Sequence, residues 1–208
     1  MTKILLIRHG HVEGISPERF RGRADLPLTA EGRRQAEATA RRVHAGWQPV
    51  AVYTSPLSRC RETGAAIGRP FGLAPVILEG LADIDYGEWQ GLTPDEVRRR
   101  WPAQFELWLR APDQVAIPGG ESLEEVAMRA AAALETIRGA HPHDIVVAVG
   151  QDSVNRVILL RALNAPLRNY WRIRQHPCAI NELHVTEDGF IVVSVNQTDH
   201  LPGSAAAP

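Results

Sequence analysis

The sequence predicts an α/β protein, a three-layer α/β/α sandwich on a mainly parallel mixed sheet of about six strands. Short apolar runs rich in β-branched residues recur along the chain, and amphipathic stretches of helical period separate the first four of them. Strands that alternate with helices favour a parallel sheet covered on both faces. The last two runs follow each other closely across an Asp-Gly pair, which is typical of an antiparallel hairpin. We therefore expect an antiparallel edge on the sheet.

Six runs are predicted as strands, because each is short, apolar and bounded by turn residues or charges. They cover residues 3–7, 49–53, 75–78, 144–149, 180–185 and 190–195. The hairpin signal between the last two is Asp188-Gly189, since these residue types accept the positive φ of a tight turn.

Amphipathic helices are predicted between these strands from their capping residues. Thr29 is placed to cap the helix that follows the first strand. Ser55 is predicted to cap the next helix, with Pro56 at its first position, where the missing N–H of proline is tolerated. Ser122 and Glu125 form a capping box before a long run of helical period. A further helix is expected directly after the fourth strand.

One domain is predicted over residues 1–201, since a chain of 208 residues can bury a single large core. Residues 92–120 are interpreted as a lid-like excursion over the sheet, with Trp101 and Trp108 on short helical pieces. Prolines are predicted to break those pieces, at Pro94, Pro102, Pro112 and Pro118. The low-complexity end, 202–208, is predicted to be frayed.

The composition indicates a soluble globular protein that binds neither nucleic acid nor membrane. The net charge of −1 provides no field for a polyanion, so any anion must be bound locally. No apolar run approaches the roughly 20 residues of a membrane span, and the start lacks a signal peptide. Cys60 and Cys178 are predicted to be reduced thiols. We therefore expect a cytoplasmic protein, and a homodimer is compatible with it.

A phosphate site is predicted where the parallel strands end, because ligands of open α/β sheets bind at that edge. Arg8 and His9 follow the first strand, and Arg59 follows the second. Arg21 and Arg23 lie in the turn between these strands. Guanidinium groups and the N-terminal amides of helices match the oxygens of a phosphate monoester dianion.

His9 is the candidate nucleophile of this site. Neighbouring cations disfavour the imidazolium form, so a neutral His9 keeps one ring nitrogen free to attack phosphorus if the other donates to a backbone carbonyl. The leaving alkoxide then needs a proton, and Asp83, Asp85 and Glu88 stand close together after the third strand. One of these three carboxyl groups is the expected acid.

Five motifs in this order resemble those of a known family. They are "RHG" after the first strand, "FRGRADLPLTAEGRRQA", "SPLSRCRET", "DYGEWQG" and "GGES" before a helix. Together they are similar to the histidine phosphatase superfamily, also called phosphoglycerate mutase-like, over residues 4–201. The resemblance implies that fold and a phosphohistidine intermediate on His9.

The resemblance also implies a metal-independent phosphatase of a small phosphorylated metabolite, with no cofactor. Asp83 matches the acid/base position, at which many relatives carry Glu. The expected catalytic residues are His9, Asp83, Arg8, Arg59 and Gln151. The expected substrate-binding residues are Arg8, Gly10, Arg21, Gly22, Arg59, Gln151 and Asp152.

Gln151 departs from the family pattern. The stretch "VGQDSVNR" resembles a branch that reads "VGHDSVNR", in which the histidine donates a hydrogen bond to the phosphoryl group. Glutamine is neutral and also presents a carbonyl oxygen, so we predict that binding survives better than turnover. Two explanations fit: an introduced change, or a natural slow phosphatase or phosphate-ester binder. The first is favoured because every other catalytic position is filled.

Three alternatives stay open. His9 and His11 have the H-x-H spacing of metal-dependent hydrolases, but the later strand ends offer no matching histidine and carboxylate cluster, and the arginines would repel a dication. A cofactor-dependent phosphoglycerate mutase would resemble a longer chain, so a phosphatase is favoured. A catalytically weak regulator that binds phosphate esters is supported by Gln151 alone.

Overall fold

A mixed sheet of six strands forms the centre of the computed structural model, which describes residues 1–187 and 189–201. The strands are β1 (Thr2–Arg8), β2 (Ala51–Thr54), β3 (Pro75–Ile77), β4 (Ile145–Gly150), β5 (Ile180–Thr186) and β6 (Gly189–Gln197). Their spatial order is β3-β2-β4-β1-β5-β6. The first four run parallel, whereas β5 pairs antiparallel with both β1 and β6. The predicted mixed sheet and its antiparallel edge are confirmed.

Two sequence predictions fall on residues outside the described part of the chain. Asp188, the first residue of the predicted Asp-Gly turn, is one of them. The predicted frayed tail, 202–208, is the other.

Six α-helices pack around the sheet in the described part of the chain. They are α1 (Ala30–Gly46), α2 (Ser58–Gly68), α3 (Pro94–Arg100), α4 (Pro102–Arg110), α5 (Leu123–Ala140) and α6 (Asp152–Ala162). Thr29 Oγ1 accepts a hydrogen bond from the backbone N–H of Gly32, which confirms the predicted cap of α1. Ser122 and Glu125 form the predicted capping box of α5. None of these helices is long and apolar enough to cross a membrane.

The predicted start of α2 is wrong. The helix begins at Ser58 rather than after Ser55, and the residue at its N-cap makes no side-chain capping bond. The cap comes instead from a distant loop, since Asp25 Oδ1 accepts from both the backbone N–H and the hydroxyl of Ser58, at 2.7 Å each. Such a long-range cap leaves no signal in the local sequence.

Apolar layers hold the helices against both faces of the sheet. Alternate residues of β1 point to opposite sides, with Ile4 and Leu6 in one core and Leu5 and Ile7 in the other. Residues of α5 and α6 complete the first core, and residues of α1 and α2 complete the second. Each fully buried aliphatic side chain contributes about 1.5–3 kcal/mol to stability. This three-layer packing aligns the ends of β1, β2 and β4 at one edge.

Residues 92–120 form α3, α4 and a short 3₁₀ turn. Helix α3 ends just before Pro102 and α4 ends just before Pro112, so the prediction that prolines divide this segment into short helical pieces agrees with the structure, whereas the prediction that Trp101 lies on a helical piece is wrong. Pro94 and Pro102 also begin α3 and α4, because a first-turn residue needs no intrahelical N–H bond. Trp101 lies between the two helices, and Trp108 is buried within α4. A lid movement of this segment stays a prediction.

Candidate active site

The ends of neighbouring parallel strands bring the predicted residues together. Arg8 ends β1, His9 follows it, Arg59 lies in the first turn of α2 after β2, and Gln151 follows β4. All four side chains are buried, and the most exposed of them, Arg8, has 7% of its surface accessible. The backbone N–H of His9 donates to the carbonyl of Gly150 at 3.1 Å, which joins the two strand ends. The strand order β2-β4-β1 therefore assembles the site.

His9 is held as a neutral ring with one free nitrogen. Its Nδ1 lies 2.7 Å from the carbonyl oxygen of Gly10, which can only accept, so Nδ1 carries the proton and Nε2 has the lone pair. Burial lowers the pKa of His9 well below its ordinary value, and the charges of Arg59 and Arg8 lower it further. The sequence indicated only the effect of the neighbouring arginines, but burial is the larger cause of the lowered pKa of His9. A neutral ring with a free lone pair can act as a nucleophile.

Arg59 is fixed by hydrogen bonds from all three of its nitrogens. Nε donates to Gln151 Oε1 at 2.8 Å, and Nη1 donates to the carbonyl of Ala24 at 2.7 Å. Nη2 donates to the carbonyl of Gly22 at 2.8 Å and to Asp83 Oδ2 at 3.1 Å. The side chain has no accessible surface. A guanidinium held in this way supplies positive charge without reorganising during a reaction.

Arg8 and Arg21 each carry a buried donor that lacks an acceptor. Arg8 Nη1 donates to the carbonyl of Gln175, and Arg21 Nη1 donates to the carbonyl of Gly14 at 2.6 Å. The Nε atoms of both arginines are buried without a hydrogen-bond partner among the described residues. A buried donor left unpaired costs about 1–3 kcal/mol. An anion bound here would supply the missing acceptors.

Asp83 is the carboxylate that the fold brings to this group. It is 6% exposed, and its Oδ2 accepts from Arg59. Its Oδ1 accepts from the backbone N–H of Ile84 at 2.9 Å and from the hydroxyl of Ser153. Asp83 therefore lies within reach of the arginines and at the cavity described below.

Asp85 and Arg23 belong to a separate charged cluster. Asp85 Oδ1 accepts from the N–H of Gly87 at 2.9 Å and stabilises the turn. Arg23 Nη1 lies 3.6 Å from Asp85 Oδ2, and its Nη2 lies 3.0 Å from Glu121 Oε1. Neither residue lines the cavity that contains Asp83, and neither does Glu88. Of the three carboxylates considered from sequence, Asp83 is the one beside Arg59.

Gln151 is turned toward Arg59 and away from the cavity. Its Oε1 accepts from Arg59 Nε, which fixes the amide orientation because a guanidinium cannot accept. Nε2 donates to Ser55 Oγ and to Cys60 Sγ, both at 3.0 Å. The sequence predicts that Gln151 donates to a phosphoryl group, but in this structure both amide N–H bonds are directed to protein atoms. The side chain does not line the cavity and has no accessible surface.

Gly10 contacts His9 rather than the cavity. Its N–H donates to Thr63 Oγ1 at 3.1 Å, and its carbonyl accepts from His9. A Cβ at this position would lie 2.5 Å from the carbonyl oxygen of Gly32, so only glycine allows α1 to approach this closely. The predicted substrate contact of Gly10 therefore has no free backbone N–H to support it.

Gly22 and Asp152 do line the cavity, as the sequence predicts for binding residues. Gly22 has a φ of +50°, which favours glycine, and its carbonyl orients Arg59. Asp152 Oδ1 lies 3.6 Å from Arg8 Nη1 and 3.1 Å from Arg156 Nε. The carboxylate of Asp152 thus orients two cations, whereas a direct contact with substrate stays a prediction.

A cavity of about 320 Å³ opens beside Asp83 and Asp152. This volume suits a small ligand. Arg156 stacks 5.1 Å from the ring of Tyr170 and 5.3 Å from that of Trp171. The aromatic wall, which the sequence analysis missed, consists of Phe20, Tyr86, Phe105, Trp108, Tyr170 and Trp171. These residues come from separate segments, so no local pattern joins them.

The cysteines and His11 take no part in a recognisable site. Cys60 and Cys178 are free and buried, which agrees with the predicted reduced thiols, and burial raises the pKa of each thiol to about 12. His11 Nδ1 lies 3.0 Å from the hydroxyl of Thr29. Among the residues that the structure describes, no three His, Cys, Asp or Glu side chains are grouped to hold a metal ion.

The strand ends of this α/β/α sandwich thus bring together a buried neutral histidine, three guanidinium groups and a carboxylate. Together they define an enzyme of the phosphate-ester hydrolase class. The chain belongs to the histidine phosphatase superfamily (branch 1), whose family model matches residues 4–198. It is a phosphoric monoester hydrolase that acts on small phosphorylated metabolites.

Similar proteins agree with this assignment. The chain is 29% identical over 201 residues to phosphoserine phosphatase 1 of Hydrogenobacter thermophilus, across 97% of this chain and 95% of that protein. It is 30% identical over 204 residues to the metal-independent phosphoserine phosphatase of Arabidopsis thaliana, across 97% and 84% of the two chains. The structure of Bacillus stearothermophilus YhfR matches with a TM-score of 0.91 and 28% identity, across 97% of this chain and 100% of that one. The predicted family is confirmed, while the cytoplasmic location and the homodimer stay predictions.

Proposed function

We propose that this hydrolase transfers a phosphoryl group first to Nε2 of His9 and then to water. The observation that carries the proposal is the neutral His9 ring, whose Nδ1–H is committed to Gly10, beside the unpaired Nε donors of Arg8 and Arg21. A phosphoryl group would supply acceptors to these donors and present phosphorus to the free ring nitrogen.

In the first step, the Nε2 lone pair bonds to phosphorus, and the bond between phosphorus and the ester oxygen breaks. Nδ1 keeps its proton, so the ring becomes positively charged while the carbonyl of Gly10 accepts from it. Arg8, Arg21 and Arg59 offset the negative charge on the phosphoryl oxygens. The leaving oxygen takes a proton that Asp83 supplies.

In the second step, a water oxygen bonds to phosphorus and the bond to His9 Nε2 breaks. The proton lost by the water returns to Asp83, and inorganic phosphate leaves. The acid is thereby regenerated for the next substrate molecule.

Gln151 slows this cycle more than it weakens binding. Its Oε1 holds Arg59 in place, so the guanidinium still supplies positive charge to the phosphate site. Its amide N–H groups are directed to Ser55 and Cys60, so it adds no donor to the phosphoryl oxygens. Loss of one such donor lowers kcat about 10²–10³-fold in other enzymes.

Phosphoserine is the first substrate to test. Two similar proteins are named phosphoserine phosphatases. The cavity also places Arg156 beside Asp152, and these groups are complementary to a carboxylate and an ammonium group, respectively. Other small phosphate esters form the comparison panel.

Phosphate release from this panel, measured in excess chelator, tests the proposal. Replacing His9 by alanine should lower turnover at least about 10³-fold, because the nucleophile is lost. The matched control is His11→Ala, which should retain activity. The His11 ring lies against the hydroxyl of Thr29, and the His11 backbone bonds to the side chains of Gln35 and Thr29, contacts that alanine partly keeps.

Three outcomes would contradict the proposal. Equal turnover by the His9→Ala and unmodified proteins would remove His9 as the nucleophile. Activity lost to chelator and restored by zinc would favour metal hydrolysis. Tight binding of phosphate esters with no phosphate release at any enzyme concentration would favour the regulator.

A further inference from the structure

We propose that Ser153 is a further catalytic residue, a proton relay between the carboxyl group of Asp83 and the ester oxygen. The inference rests on the proposed function, because it concerns the proton that the leaving alcohol receives. Ser153 is the second residue of α6, it is 2% exposed, and it lines the cavity together with Asp83.

The contacts of Asp83 decide which of its oxygens can carry the proton. Oδ2 accepts from Nη2 of Arg59, so a proton on Oδ2 would face a guanidinium group. Oδ1 accepts from the N–H of Ile84 and from the hydroxyl of Ser153. Oδ1 is therefore the oxygen that can be protonated, and the hydroxyl of Ser153 is its neighbour on the cavity side.

Ser153 Oγ is able to pass a proton in both directions. Its hydroxyl donates to Asp83 and makes no other side-chain hydrogen bond among the described residues, so the oxygen lone pairs are free. Rotation about one bond turns the O–H from the carboxylate toward the cavity. A hydroxyl with these properties is a donor to one partner and an acceptor from the other.

The relay balances over the reaction cycle. When the ester bond breaks, Ser153 Oγ–H gives its proton to the leaving oxygen and receives the proton of Asp83 Oδ1. When water attacks the phosphohistidine, its proton passes to Ser153 Oγ, and the hydroxyl proton of Ser153 returns to Asp83 Oδ1. No electrons or other reactants are needed.

The test compares esters that differ in their need for a proton. A nitrophenolate can leave without being protonated, whereas the serine alkoxide of phosphoserine needs a proton in order to leave. The single-turnover rate of enzyme phosphorylation is measured with excess enzyme and an alkaline quench, in which phosphohistidine survives. Ser153→Ala should lower the ratio of the phosphoserine rate to the nitrophenyl phosphate rate at least about 10²-fold, the range of general acid catalysis.

Two comparisons separate a relay from a structural role. Asp83→Asn should lower the same ratio, and the double variant should lower it no further, because both residues act on one proton. Ser153→Thr keeps the hydroxyl and should restore most of the ratio. Thr54→Val is the matched control, since it removes an equally buried hydroxyl that has no hydrogen-bond partner in the described part of the chain.

The possible failures are distinguishable. Equal losses on both esters in Ser153→Ala would overturn the relay and leave the phosphohistidine mechanism intact. Multiplicative losses in the double variant would also overturn it, since the two residues would then act separately. Absence of any phosphoenzyme in the unmodified protein would overturn the proposed function, and the relay with it.

Discussion

Replacing Gln151 by histidine should raise turnover while lowering stability. An imidazole N–H would restore a donor to the phosphoryl group, and such a donor contributes about 10²–10³ in kcat, or about 2.7–4 kcal/mol. The change also removes an amide that bonds to Arg59, Ser55 and Cys60. Each of these buried hydrogen bonds that the imidazole does not replace costs about 1 kcal/mol. For a chain of this size, each such loss corresponds to a Tm lower by about 2–4 °C.

The assay measures kcat and KM for phosphoserine, together with Tm. We expect kcat to rise with little change in KM, because the added donor acts mainly in the transition state. Gln151→Asn is the matched control, since it shortens the amide without adding an imidazole donor, and it should lower the stability without raising kcat. If kcat of Gln151→His rises by less than about threefold while the protein stays folded, position 151 is not the site of the missing donor.

Further predictions concern three other residues. Arg59→Met should lower the free energy of unfolding by about 3–5 kcal/mol and abolish turnover, because it leaves the carboxylate of Asp83 buried without its cation. An unchanged denaturant unfolding curve would contradict the hydrogen-bond network of Arg59. Asp25→Ala should lower stability by about 1 kcal/mol, since it removes the cap of α2, with kcat unchanged; a loss of kcat without a loss of stability would contradict a capping role. Burial lowers the pKa of His9, so its ring stays neutral as the pH falls through the ordinary histidine value of about 6.5. Protonation of His9 should therefore reduce kcat only at lower pH. A loss of kcat on the acid side centred near the ordinary value would contradict a lowered pKa of His9.

The fold could be predicted largely from local patterns. Strand runs, helical periods and the caps at Thr29 and Ser122 are properties of short segments, and each reappears in the structure. The start of α2 could not be predicted, because its capping carboxylate, Asp25, lies 33 residues away in the chain. Local chemistry therefore identified the elements but not the contacts that adjust their ends.

In the site, too, some features could be predicted from local sequence and others could not. Arg8, His9 and Arg59 could be predicted, because residues directly after parallel strands meet at one edge of the sheet. The direction of the Gln151 amide could not, since it depends on Arg59, Ser55 and Cys60 from another segment.

The lining of the cavity could not be predicted from local sequence either. Its aromatic wall is assembled from four stretches of chain, and all of its residues except Trp171 also belong to the core or pack against it, where any large apolar side chain would be expected. Their role in the cavity is visible only in three dimensions.

A phosphoryl group on Nε2 of His9 can be detected by peptide mapping. The protein is mixed with nitrophenyl phosphate and quenched in alkaline denaturant, and the phosphorylated peptide is identified. We expect phosphate on the peptide that contains His9, appearing before inorganic phosphate and absent from the His9→Ala variant. Phosphate release that persists in that variant, with no label on any histidine, would exclude His9 as the nucleophile.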